Sequence, residues 1–152
     1  MRKNPGFAIA LAICVLAAAV VIGNRGIPVV HAQNKECDAT SLSGAYGYSL
    51  NGYVYDNYGY VYMIGAAGRL VSDGNGNLTG ADTYSFDGTI VKRQYTGTYT
   101  MNADCTGSVT LTPSSGSATH ADMVAVNNAK EVNLVQTDTG FILTGVLKQQ
   151  SQ

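Results

Sequence analysis

From residue 44 to residue 149 the chain alternates apolar and polar side chains in short runs, separated by clusters of Gly, Asn and Asp. This period of two is typical of β-strands, and no stretch after residue 33 repeats its apolar residues with the period of a helix. The pattern predicts eight strands, at residues 44–55, 59–72, 77–87, 89–102, 107–112, 119–127, 130–137 and 140–149.

The segments between the predicted strands are short and have the composition of tight turns. Asp87-Gly88 is the clearest signal, because both residue types tolerate the positive φ that a two-residue hairpin needs. Short connections place consecutive strands side by side and antiparallel. Closing such a meander removes both exposed edges of the sheet. The sequence therefore predicts an all-β, eight-stranded antiparallel up-and-down barrel, with a two-sheet β-sandwich as the alternative.

Alternation also predicts which side chains face the interior, since every second residue of a strand lies on one face. Asp82 and Arg93 fall on faces that otherwise carry apolar and aromatic residues, namely Leu78, Tyr84, Phe86, Val91, Tyr95, Tyr99 and Met101. A buried charge is costly unless it is paired. One interpretation is an internal Asp82–Arg93 pair beside a ligand pocket, with Arg93 available to an anionic group. The other is that a bulge, or a position at the open rim, returns the charges to water.

The N-terminal segment has the pattern of a signal peptide. Arg2 and Lys3 precede an apolar run over residues 7–22, and small residues lead to a predicted cleavage site near Ala32. An uncleaved N-terminal membrane anchor is the alternative. The predicted organisation is a signal peptide over 1–32, an extension over 33–43 and a barrel over 44–149, in a secreted or periplasmic protein.

The predicted mature chain is mildly acidic. The nine Lys and Arg of the whole chain, less Arg2, Lys3 and Arg25, leave six against ten Asp and Glu, a net charge of −4. The six are scattered, whereas a nucleic-acid site needs a basic patch and a membrane-surface helix needs a basic face. We therefore expect neither nucleic acid nor, after cleavage of the signal peptide, a membrane as a partner. The oligomeric state is not predicted.

Two cysteines remain after cleavage, Cys37 and Cys105, and they allow a single intramolecular pairing. In an oxidising compartment we expect them to form a disulfide. The chain-entropy model values a loop of this length at roughly 4 kcal/mol.

Candidate catalytic and metal sites are sparse. His120 is the only histidine after residue 32, and no nucleophile-elbow or phosphate-binding pattern occurs. The stretch DGNGN at 73–77 alternates oxygen-bearing residues but lacks the glycine and the glutamate that a calcium loop requires. We expect a hairpin turn there, and we predict no metal, no cofactor and no catalytic residue.

Seven of the ten tyrosines lie between Tyr46 and Tyr62, and the chain has no tryptophan. Parity assigns the interior to Tyr46, Tyr48, Tyr60 and Tyr62. A tyrosine has a large apolar body and one hydroxyl that needs a partner when buried. The inward tyrosines therefore fit a packed core, the wall of a ligand pocket or, if they turn outward, an interaction surface.

Several stretches resemble a group of small exported bacterial β-barrel proteins of largely uncharacterised function: SGAYGYSLNG, GRLVSDGNGNLTG, YTGTYTMNADCTGSVTL and TDTGFILTGVLKQQ. The resemblance implies a compact barrel. Gly44 and Tyr46 in the first strand, with Lys148 in the last, also resemble the lipocalin pattern, in which a tryptophan usually stands where Tyr46 does.

The leading functional hypothesis is an exported lipocalin-like barrel that binds a small apolar or aromatic ligand without catalysis. The alternatives are a surface or matrix interaction module that uses a tyrosine-rich face, and a barrel cyclase or isomerase resembling allene oxide cyclase. An internal cavity larger than about 300 Å³ would favour the first or third hypothesis over the second. The candidate ligand-binding residues are Tyr46, Tyr48, Tyr60, Tyr62, Asp82, Tyr84, Arg93, Tyr95 and Tyr99.

Overall fold

A computed structural model describes residues 36–114 and 116–151. The predicted signal peptide and its cleavage site lie outside these residues. The described chain forms a short 3₁₀ helix, Ala39–Ser41, followed by eight strands: β1 Ser43–Tyr55, β2 Val61–Asp73, β3 Asn77–Phe86, β4 Thr89–Met101, β5 Thr106–Pro113, β6 Thr119–Val126, β7 Glu131–Gln136 and β8 Phe141–Gln149. The first and last residue of every strand agree with the prediction to within two residues.

The strands form a closed barrel in the order β1 to β8. All neighbours are antiparallel, and β8 pairs with β1 to complete the closure, for example through Tyr48 opposite Leu147. The predicted up-and-down barrel is therefore confirmed, and the sandwich alternative is wrong. The hairpin between β3 and β4 has the predicted geometry, because Asp87 and Gly88 both have positive φ, at 46° and 85°.

The two ends of the barrel differ. At one end, which we call the packed end, residues 36–42 lie beside the turns that follow β2 and β4, and the turn after β6 is at the same end. The other end, the open end, carries the turns that follow β1, β3, β5 and β7. Because the strands alternate in direction, each strand has one terminus in each region, and one inward face extends through both.

The packed end is filled by apolar and aromatic side chains. Leu42, only 1% exposed, lies at its centre with Tyr46 and Val132, which are completely buried. The phenol of Tyr46 donates a hydrogen bond to the backbone oxygen of Ala129 at 2.9 Å, and that of Tyr99 donates to the backbone oxygen of Ala39 at 2.6 Å. A buried hydroxyl costs free energy unless it is bonded, so these two contacts fix the tyrosines as core residues.

A disulfide fastens the N-terminal segment to the packed end. Cys37 and Cys105 are bonded, with their Cα atoms 5.0 Å apart, which confirms the predicted pairing. The backbone N–H of Cys37 also donates to the oxygen of Ala103 at 3.1 Å. Residues 36–42 are thereby held against the turn that joins β4 to β5.

Tyr60 does not reach the interior, so its predicted inward position is wrong. Asp56 accepts hydrogen bonds from the backbone N–H groups of Tyr58 and Tyr60, both at 2.9 Å. These bonds extend the turn to residue 60, so β2 begins at Val61, and the Tyr60 side chain is 66% exposed.

Among the described residues no helix is long and apolar enough to cross a membrane.

Candidate binding cavity at the open end

The open end contains a cavity of about 490 Å³ inside the barrel. Its walls are largely apolar and come from strands on all sides, namely from Leu50, Ile64, Ala66, Leu111, Phe141 and Leu143. Its floor is polar and aromatic, where Tyr48 and Tyr95 separate it from the packed end. A concave apolar space with a few convergent polar groups is the usual form of a small-molecule site.

An ion pair between Asp82 and Arg93 lies in this cavity. The two residues face each other across β3 and β4, where they are direct partners in the register. The Arg93 guanidinium donates to the carboxylate twice, from Nε to Oδ1 at 3.0 Å and from Nη2 to Oδ2 at 2.6 Å. The side chain of Asp82 is 0% exposed and that of Arg93 is 25% exposed. Of the two interpretations offered by the sequence, the internal pair is therefore the one that the structure shows.

Two tyrosines complete the surroundings of the pair. The Tyr48 phenol donates to Oδ2 of Asp82 at 2.8 Å, so three donors hold the two carboxylate oxygens. On the other side, the guanidinium carbon of Arg93 lies 4.0 Å from the ring centre of Tyr84, a cation–π contact. The contact with the Tyr84 ring and the two-point bond to Asp82 together fix the orientation of Arg93.

Tyr95 occupies the floor because Gly80 leaves room for it. A Cβ atom at Gly80 would overlap the phenol ring of Tyr95, so glycine at this position permits the ring to lie across β3. The rings of Tyr95 and Tyr48 are 6.4 Å apart and tilted by 59°. This is the tilted arrangement that aromatic pairs prefer.

Burial and the neighbouring charges change the ionisation of these groups. Burial raises the pKa of the Tyr95 phenol to about 12. Burial, together with the proximity of Tyr95 and the hydrogen bond to Asp82, raises the pKa of Tyr48 well above its usual value. Burial lowers the pKa of Arg93, but its bonds to Asp82 outweigh that effect and the net pKa is raised. At neutral pH the cavity therefore holds a guanidinium and neutral phenols.

A second polar cluster at the opening was not predicted. Asp138, in the turn after β7, accepts hydrogen bonds from the backbone N–H of His120 and from the Gln136 side-chain amide, both at 2.9 Å, and its other oxygen lies 2.8 Å from Nδ1 of His120. Burial raises the pKa of the Asp138 carboxyl, but these bonds outweigh that effect and lower it. Gln136 lies on the same inward face of β7 as Val132 and Leu134. Continuing the alternation from Leu134 to the second residue after it would therefore have identified Gln136 as inward.

The structure divides the predicted ligand-binding residues into three groups. Five of them line the cavity: Tyr48, Asp82, Tyr84, Arg93 and Tyr95. Tyr46 and Tyr99 face the interior but lie in the packed end, where their hydroxyls bond to the backbone. Tyr62 packs on Phe86 with ring centres 5.2 Å apart, and Tyr60 lies outside. Parity therefore assigned the face correctly for all except Tyr60, but it did not distinguish the two ends.

The outer surface of the barrel near the opening carries an apolar patch. Tyr53 on β1 lies between Met63 on β2 and Ile142 on β8, and their exposed fractions are 44%, 64% and 56%. Tyr55 and Val61, the next outward pair, are also exposed. This row, which we call the outer patch, is the arrangement that the interaction-module hypothesis requires.

Within the described residues, no group of three or more His, Cys, Asp and Glu side chains is arranged to hold a metal ion. A scan against models of known protein families finds no match, and a search of curated proteins finds no relative at a significant level.

Proposed function

We propose that this barrel binds a small apolar or aromatic molecule in the cavity at its open end, without catalysing a reaction, as lipocalin-like barrels do. The observation that carries the proposal is the cavity itself. Its volume of about 490 Å³ exceeds the roughly 300 Å³ at which small-molecule sites begin. A barrel built only for stability gains from filling such a space, because unfilled apolar volume costs free energy.

The walls and the floor have separate roles in this proposal. The apolar walls remove the ligand from water, which is the main source of affinity. Arg93 and Tyr84 orient the ligand, since both line the cavity and the guanidinium is partly exposed. The ion pair keeps this floor rigid before the ligand arrives, which reduces the entropy lost on binding.

The surroundings of Asp82 favour binding over turnover. A cyclase or isomerase would need a carboxylate or phenol free to exchange a proton with the ligand. Asp82 does face inward, but both of its oxygens already accept hydrogen bonds from Arg93 and Tyr48. Proton transfer to Asp82 from a ligand would neutralise the carboxylate and so weaken its charge-assisted bonds to Arg93.

Native mass spectrometry of protein purified from its own source tests the proposal. We expect a complex that carries one additional small molecule. The variant Ala66→Phe should lose this molecule, because Ala66 lines the cavity and a phenyl ring would occupy the space. The matched control is Ala67→Phe, which places the same ring on the outer face of β2 and should keep the ligand. Loss from both variants, or from neither, would contradict the assignment.

We also propose that the protein is exported. The signal-peptide pattern of residues 1–32 and the disulfide between Cys37 and Cys105 support export. The intact mass of the protein from its source is the test. A chain that begins at Gln33 is expected, and a chain that retains residues 1–32 would favour the membrane-anchor alternative.

The outer patch supports a second candidate function, an interaction module that binds a cell surface or matrix. Tyr53, Met63 and Ile142 form a continuous apolar row that is open to solvent. If this function holds, the purified protein sediments with the surface fraction of its source cells, and replacing the three residues by Ser abolishes sedimentation. Unchanged sedimentation of that variant would exclude the patch as the contact.

A further inference from the structure

We infer that the cavity selects neutral ligands that carry a hydrogen-bond acceptor, such as a carbonyl oxygen, and that Asp82 is the residue that excludes anions. This inference rests on the proposed function, since it concerns the ligand of the same cavity. It reverses the expectation from the sequence that Arg93 is available to an anionic group.

The positive charge of Arg93 is already compensated. Its Nε and Nη2 atoms both bond to Asp82, whose carboxylate is completely buried beside it. An anionic ligand would have to approach a guanidinium that already has a carboxylate partner. The attraction of the cation is then largely offset by the repulsion of Asp82, while the ligand still loses its hydration.

Donors remain for a neutral acceptor. A guanidinium has five N–H groups, and the two bonds to Asp82 leave others free. The hydrogen bonds of the described residues leave Nη1 of Arg93 without a protein acceptor, and the side chain is 25% exposed in the cavity. A carbonyl oxygen accepts such a bond without bringing a charge that must be desolvated.

The charges around the opening act in the same direction. Among the described residues that line the cavity, Arg93 is the only cation, whereas both Asp82 and Asp138 are carboxylates. Asp56 and Asp87 lie in neighbouring turns of the same end. Lys92 is outward on β4 and His120 is held by Asp138. An approaching anion therefore meets a predominantly negative rim.

Three probes with one ring system separate these effects: methyl naphthyl ketone, naphthoate and naphthalene. Calorimetric titration of the wild-type protein should show the ketone binding at least about tenfold more tightly than naphthoate, a difference of about 1.4 kcal/mol. Naphthalene should bind more weakly than the ketone, because it offers no acceptor to Arg93. In the nitrogen NMR spectrum, the Nη signals of Arg93 should shift with the ketone.

Asp82→Asn should abolish the preference for the ketone. It keeps an oxygen for Tyr48 but releases the charge of Arg93, so naphthoate should gain at least about tenfold in affinity relative to the ketone. Asp122→Asn is the matched control, because it removes the same charge from the exposed outer face of β6 and should leave the ratio unchanged.

The results distinguish a failure of this inference from a failure of the proposed binding function. If naphthoate binds the wild type as tightly as the ketone, the inference fails and the binding function stands. If none of the three probes binds, the proposed function fails and the inference with it. The comparison of probes on the wild type needs no variant, so it holds even if Asp82→Asn does not fold.

Discussion

The packed end and the open end are made from the same strands, yet they are filled in opposite ways. In the packed end, inward side chains such as Tyr46, Val132 and Leu147 meet residues 36–42 and leave the phenols bonded to backbone oxygens. In the open end, the same alternation places Ala66 beside an unfilled space of about 490 Å³ that also contains an ion pair. One end is organised as a core and the other as a cavity.

This difference shows how one small barrel contains both a filled core and an open cavity. An eight-stranded barrel has an interior that side chains either fill or leave for one small ligand. Here the N-terminal segment and its disulfide strengthen the filled half. The other half is then free to contain small residues and buried charges that contribute little to stability.

Removing the disulfide should have the largest effect, and on stability alone. The double variant Cys37→Ser with Cys105→Ser should lose about 4 kcal/mol of unfolding free energy, because the unfolded chain regains the freedom of a long loop. Urea unfolding measures this loss. Binding of methyl naphthyl ketone should persist, since Cys37 and Cys105 lie at the packed end. A variant of full stability, or one that folds but binds nothing, would contradict the separation of the two ends.

Two leucines of β8 offer a matched comparison of packing. Leu147→Ala should cost about 3 kcal/mol, since it creates a new void in the core. Leu143→Ala should cost less, about 2 kcal/mol, because Leu143 borders a space that already exists. Chemical denaturation of both variants gives the difference, and equal or reversed losses would show that the cavity is not a pre-existing space.

Replacing Arg93 should destabilise the protein more than replacing Asp82. Arg93→Met should cost about 2 kcal/mol, because it leaves the buried Asp82 carboxylate without its counterion. Asp82→Asn should cost about 1 kcal/mol, since Arg93 is partly exposed and can turn towards water. Thermal unfolding of both variants provides the test, and a larger loss for Asp82→Asn would contradict the burial described for the pair.

Removing a single tyrosine hydroxyl should cost more stability at the packed end than at the open end. Tyr46→Phe should lose about 1 kcal/mol, because the bond to the Ala129 oxygen disappears and that oxygen is left unpaired. Tyr84→Phe should change stability by less than about 0.5 kcal/mol, since the described contacts give its hydroxyl no hydrogen bond. Urea midpoints of the two variants should therefore differ, and the reverse order would be evidence against the polar contacts described.

The last effect is absent at neutral pH and emerges only in alkaline solution. The folded protein raises the pKa of Tyr48 and Tyr95 above the ordinary value of 10.0. Below pH 10 both phenols are protonated in either state. As the pH rises further, the unfolded chain ionises first, so stability falls, for Tyr95 until about pH 12. Urea unfolding at stepwise higher pH should show a shallower fall in Tyr95→Phe than in the wild type, and an identical slope would contradict the burial of this phenol.

The fold was largely predictable, because alternation and turn composition are local properties of the chain. Asp87-Gly88 formed the predicted hairpin, and the two cysteines after residue 32 allowed one pairing. Tyr60 was misplaced because the bonds from its own N–H and that of Tyr58 to Asp56 extend the first turn, a contact that parity does not reveal.

The site was predictable only in part. Parity identified Asp82 and Arg93 as inward, but whether they pair depends on the register between β3 and β4, which places them directly opposite each other. Parity also gives no information about how far along the barrel axis a residue lies. Tyr46 and Tyr48 share one face of β1, yet one lies in the core and the other at the cavity floor, because the level of each residue is set by the stagger of all the strands.

On the proposed function, only the open half of the barrel admits a ligand. Methyl signals of Leu143 and Leu147, assigned by NMR and followed during titration with methyl naphthyl ketone, test it most directly. The two residues belong to the same face of β8, one at the cavity and one in the core. We predict a saturable shift of the Leu143 methyl signals with little change at Leu147. Shifts of equal size at both, or at Leu147 alone, would contradict the account.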